Sequence, residues 1–168
     1  MKKLFLSFMI VLFSSFAFAQ NHMLFMGVEL NATPESFAQK IENKGFNAIK
    51  GVNNAFEGKY EGLKCELTVS ARPQTNVVYQ VDLSFPASMS SDAVWNLMQK
   101  LLDTYGVKDK DGKYTNVLAS EPGSIEIRTD QGGVKMHYKK YSAEEQKQFK
   151  AEGHYGLIYF DKINTEKK

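Results

Sequence analysis

Cys65, the single cysteine, is the first residue that could do chemistry. A nucleophilic thiol needs a depressed pKa and a neighbouring base. Cys65 instead alternates in phase with Leu63, Leu67 and Val69, which reads as a small hydrophobe on the dry side of a strand. The histidines are His22, His137 and His154. They form no His-x-x-x-His pair, and no Cys-x-x-Cys accompanies them, so no zinc set is spelled out. His22 belongs to a leading segment expected to be mobile, His137 to the wet side of a strand, and His154 to the approach to the last strand. Asp109-Lys110-Asp111-Gly112 has part of the pattern of a calcium loop. In that register the first and twelfth positions are Val107 and Leu118, which offer no side-chain oxygen. The segment reads as a polar turn. No Gly-x-Ser-x-Gly is present, and Gly132-Gly133 reads as a hairpin turn, not a phosphate loop. No catalytic residue, metal ligand set or cofactor site is expected.

Two constellations remain. Glu57, Glu61, Glu66 and Asp82 fall on the polar sides of strands, where a facing pair would suit acid–base hydrolysis. Tyr138, Tyr141, His154 and Tyr155 gather late in the chain, close to Tyr159, and make the candidate binding patch. Tyrosine is large, stiff and amphipathic, so it is favoured at binding surfaces; it is also common in half-buried strands.

These side chains must be positioned by regular elements. Thr33 caps a first helix with Pro34 at its first position, Phe37 and Ile41 on one face and Gly45 as its stop. Strands follow at Ala55–Tyr60, Leu63–Ala71 and Val77–Phe85. In the third, Val77, Tyr79, Val81, Leu83 and Phe85 share the inward face. Ser90 or Ser91 caps a second helix whose stripe holds Val94, Trp95, Met98, Leu101, Leu102 and Tyr105, widened by Leu97 and closed by Gly106. A hairpin joins strands 124–129 and 134–140 through Asp130-Gln131-Gly132-Gly133. Ser142-Ala143-Glu144-Glu145 is a capping box that opens a short polar helix. A strand over 155–163 ends the fold, and the charged tail frays.

Ahead of all this, Lys2 and Lys3 precede the apolar run Leu4–Phe13, and Ala17-Phe18-Ala19 places small residues at −3 and −1 of a cut. The run is too short to span a bilayer well. Residues 1–19 read as a cleaved signal peptide, leaving 20–168 as a single mature domain of about 150 residues, enough for a sizeable core. The leader takes two of the 21 basic residues and none of the 19 acidic ones, so the mature chain is neutral. A neutral chain has no electrostatic footprint for nucleic acid. Gln20, not a cysteine, directly follows Ala19, so no lipid anchor is expected, and with one cysteine no internal disulfide. The expected location is the periplasm or the exterior.

Helix, strand, strand, strand occurs twice, in candidate repeat halves 33–85 and 91–163. The expected fold class is α+β, an antiparallel sheet of about six strands carrying two main helices on one face. The stretch Phe25-Met26-Gly27-Val28-Glu29-Leu30, with Thr33-Pro34-Glu35-Ser36-Phe37, Ile41 and Lys44-Gly45-Phe46, resembles the opening of small exported Bacteroidetes proteins. That resemblance implies export and no particular activity. The duplicated order is similar to the beta-lactamase inhibitor protein fold, which implies inhibition as one activity. That family relies on disulfides, which this chain lacks.

The expected function is therefore that of an exported soluble binding or inhibitor-like protein with a protein partner, acting through a sheet face or the aromatic patch. An envelope hydrolase with a carboxylate-based site and a purely structural envelope protein are the alternatives. A flat patch with exposed Tyr or Trp favours binding. A concave pocket that pairs Glu or Asp with His137 or His154 would overturn the binding reading in favour of the hydrolase.

Overall fold

The computed structural model describes residues 21–121 and 123–166. The expected signal peptide lies outside the described residues. In chain order the elements are β1 (Leu24–Phe25), β2 (Val28–Glu29), α1 (Pro34–Glu42), β3 (Asn47–Ala48), β4 (Ala55–Tyr60), β5 (Leu63–Ala71), β6 (Val78–Ser84), α2 (Ser91–Tyr105), β7 (Val117–Glu121), β8 (Ser124–Arg128), β9 (Gly132–Lys140), α3 (Ala143–Phe149), β10 (Gly153–Asp161) and α4 (Lys162–Glu166). The fold is α+β.

The helix starts follow their chemistry. The Thr33 and Ser90 hydroxyls accept the N–H groups of Ser36 and Ala93, and Pro34 opens α1 without wasting a donor. At Ser142 the capping box is complete in both directions.

All pairings in the main sheet are antiparallel, in the order β3-β4-β5-β6-β10-β9-β8-β7. The expected six strands become eight because short β3 and β7 extend the two edges. The order reads symmetrically. A helix and a four-strand meander form each half, and the halves join where β6 pairs with β10, with Leu157 opposite Leu83 and Tyr159 opposite Val81.

One face of the sheet is dry. Leu67, Val69, Val81, Leu83, Leu157 and Tyr159 form one core cluster with Phe37 and Ile41 of α1 and Leu97, Leu101 and Leu102 of α2. Each fully buried aliphatic side chain contributes about 1.5–3 kcal/mol. The β1–β2 hairpin drives Phe25 into the same core, stacked on Tyr60 at 5.8 Å and edge-on to Tyr159 at 5.2 Å.

Five expectations are corrected. Trp95 is 58% exposed, because the buried stripe of α2 runs through Leu97, Leu101 and Leu102. A register shift beside Ser70 and Ala71 moves Val78 into the core in place of Val77, and leaves Tyr79 half-buried with the Arg72 guanidinium 5.8 Å from its ring centre. Gly132 and Gly133 lie within β9 and not in the turn. The last strand ends at Asp161, and residues 162–166 turn into α4 with Asn164 buried. His22 is held, not loose: its Nδ1 lies 3.1 Å from an Asp161 carboxylate oxygen, and its side chain is 9% exposed.

Candidate functional site

The opposite face of the sheet carries the chemistry. Alternation along β4, β5, β6, β9 and β10 turns Glu57, Lys59, Lys64, Glu66, Asp82, His137, Lys139 and His154 away from the helices. α3 contributes Glu145 and Phe149 to this side of the sheet. Between α3 and the Lys44–Asn47 turn runs an open cleft of about 1110 Å³. It is lined by Glu66, Ser84 and His154, by the cations of Lys59, Lys64 and Lys139, and by Tyr141 and Phe149.

The predicted patch divides in two here. Tyr141 and His154 come together, ring centres 5.3 Å apart, inside the cleft. Tyr138 and Tyr155 pack with ring centres 4.9 Å apart on the side of α1 and α2, because they share strand parity with Met136 and Leu157. Tyr155 packs against the core, and the Tyr138 ring lies over Gly153, where a Cβ would meet it at 2.7 Å. The missing member is Phe149. It is 52% exposed, 5.1 Å from the Tyr141 ring, and lines the cleft. Its signal in the sequence was an apolar residue at the end of an otherwise polar helix.

Electrostatics divide the titratable groups. The Glu145 carboxylate accepts the backbone N–H of Ser142 at 2.8 Å and approaches Lys139 Nζ at 3.6 Å. The Ser142 hydrogen bonds hold it below the usual carboxylate range. Burial, reinforced by Lys139 and His137, depresses the His154 imidazole. Its Nδ1 is buried with no hydrogen-bond partner among the described residues. Further along the face, Gln80 Nε2 donates to both Asp82 oxygens at 3.0 Å. Burial raises the Asp82 pKa, while Gln80 and His137 oppose the rise. The His137 ring lies over Gly156, where a Cβ would stand 2.6 Å from Cε1.

Cys65 is buried, and burial pushes its thiol up to about 11, the wrong direction for a nucleophile. The Asp109 carboxylate accepts N–H groups from Asp111 and Lys113, both at 2.9 Å, as a polar turn would. Among the described residues no three His, Cys, Asp or Glu side chains converge as a metal site. No described helix is long and apolar enough to cross a membrane.

No family model, curated protein or solved structure matches this chain.

Proposed function

We propose that the chain is an exported binding protein that seats a protein partner on its open sheet face, with the cleft beside α3 as the anchor. The observation that carries this is the cluster of Tyr141, Phe149 and His154, aromatic side chains lining a broad, charged cleft. Aromatic anchors flanked by polar groups suit protein recognition. Inhibition of an enzyme is one form this binding would take. The mirrored strand order supports reading residues 33–85 and 91–163 as a duplicated unit. Signal-peptide cleavage after Ala19 and a periplasmic or external location complete the proposal.

The test is affinity capture from envelope extract with the mature wild type and with Tyr141→Ala/Phe149→Ala. Binding through the cleft predicts a stoichiometric partner that the double variant loses by tenfold or more. Equal recovery on both would overturn the site.

The hydrolase reading gains one observation, since Glu57, Glu66 and Glu145 line the same cleft as His154. Acid–base chemistry would use a carboxylate paired with the imidazole, and among the described residues no hydrogen bond or ion pair joins His154 to any of the three. Against it, Glu145 is engaged by Ser142 and Lys139, and its lowered pKa makes it a poor proton donor. A hydrolytic activity that disappears in both Glu145→Gln and His154→Ala, with folding intact, would replace the binding proposal.

A further inference from the structure

On the open face, β4 and β5 set like charges directly opposite one another. Lys59 pairs in register with Lys64, and two residues along Glu57 pairs with Glu66. All four residues are exposed, and none makes an ion pair with another described residue. Like charges directly opposite across a ladder are destabilising. The two rungs lie two residues apart along the strands, about 6.8 Å. One is doubly positive and the other doubly negative.

Such a pair of rungs is complementary to itself. A twofold axis lying in the plane of the face, parallel to the rungs and midway between them, sets the lysine rung of one copy over the glutamate rung of another. The same operation sets glutamates over lysines. Only an isologous contact uses one patch on both partners in this way. The rungs lie on β4 and β5, towards the β3 edge of the sheet, whereas α3 connects β9 to β10. The β4–β5 ladder, about 20 Å long, is the part of the face that a second copy reaches.

We propose that a second copy of this chain docks on the open sheet face, with Lys59 and Lys64 of each copy meeting Glu57 and Glu66 of the other. This rests on the reading of the open face as a binding surface and names one partner for it. Exposed ion pairs are individually weak and screened by salt, so the dimer is weak and salt-sensitive.

Sedimentation of the mature protein at about 100 µM tests this, with ionic strength raised from about 0.05 to 0.5 M. Dimer at low salt and monomer at high salt is expected. Lys59→Glu/Lys64→Glu and Glu57→Lys/Glu66→Lys, each reversing one rung, should weaken the dimer at least tenfold. The fourfold exchange of both rungs keeps the net charge, restores complementarity and should restore the dimer. A wild type that stays monomeric at low salt overturns the proposal. So does a dimer indifferent to single-rung reversal, or a fourfold variant that stays monomeric while its thermal melt matches the wild type. Partner capture lost in Tyr141→Ala/Phe149→Ala beside a monomeric wild type would leave the binding reading standing and remove the second copy alone.

Discussion

The carboxylate of Asp161, at the end of β10, accepts the backbone N–H of Met23 at 2.8 Å across 138 residues of chain. The same carboxyl accepts the N–H of Asn164 at 2.8 Å, and its side chain is 0% exposed. A buried carboxylate persists only when hydrogen bonds satisfy it. Here they tie the start of the described chain to α4, and Asn164 Nδ2 adds a bond of 2.9 Å to the Leu30 carbonyl. Phe25 enters the core on the hairpin held by this clamp.

Asp161→Ala should therefore destabilise by about 3–5 kcal/mol, because buried donors lose a charged acceptor. Asp161→Asn, which keeps one carbonyl oxygen, should cost less. Urea unfolding gives the magnitude. Hydrogen exchange should show residues 23–30 opening ahead of the sheet in both variants.

The Tyr60 and Tyr159 hydroxyls lie 2.5 Å apart in the core, and the Tyr105 ring lies edge-on to Tyr159 at 6.1 Å. Burial pushes Tyr60 up to about 12 and raises Tyr159 and Tyr105 as well. These groups favour the neutral form in the folded state. Their contribution is thus fully present below the unfolded tyrosine pKa of about 10 and is lost as pH rises through about 12. Thermal melts should fall progressively across that window. Tyr159→Phe should flatten the fall and cost about 1–3 kcal/mol at neutral pH by leaving a buried hydroxyl unpaired.

Trp95 and Leu101 sit on the same helix but differ in burial. Leu101→Ala should cost about 2–5 kcal/mol through lost burial and a cavity. Trp95→Ala should change stability by about 0.5 kcal/mol or less. Denaturant midpoints of the two variants, read side by side, check the assignment of the α2 faces.

Gly132 begins β9 opposite Asp161. A Cβ there would stand 2.0 Å from the Phe160 carbonyl oxygen, and a backbone atom in a paired strand cannot swing aside as a side chain does. Gly132→Ala should cost about 3 kcal/mol. Because the clash displaces the strand that carries Asp161, the hairpin at 23–30 should lose exchange protection in this variant too.

His154 has its pKa lowered by burial, then by Lys139 and His137. The folded state prefers the neutral ring. Any contribution to stability is present above the unfolded value of about 6.5 and fades as pH falls through the lower folded value. An NMR titration should find His154 below the ordinary histidine range, and Lys139→Ala should bring it closer to that range.

Local pattern was readable wherever one physical rule acted alone. Strict alternation placed Cys65, Leu67 and Val69 in the core, and the bounds of β4 and β5 match those of the pattern. Thr33, Ser90 and Ser142 cap helices because a hydroxyl needs only its own next turn to do so. The errors fall where distant partners decide. A register shift between β5 and β6 changed which valine is buried, and His22 is fixed by a residue near the other end of the chain. Trp95 fits a helical stripe as well as Leu97 does, and only the position of the sheet chooses between them.

For the site the division is similar. The sequence by itself determined the charge balance of residues 20–168, the α+β class, the dry and wet faces of the central strands, and the aromatic character of the last third. Those follow from composition and from a two-residue period that every strand obeys. The tertiary structure alone decided that Tyr141 and His154 share a cleft with Phe149 while Tyr138 and Tyr155 turn to the other side. It also decided that Lys59 meets Lys64 and Glu57 meets Glu66. Strand register and the placement of α3 set these relationships, and both depend on contacts between segments far apart in the chain.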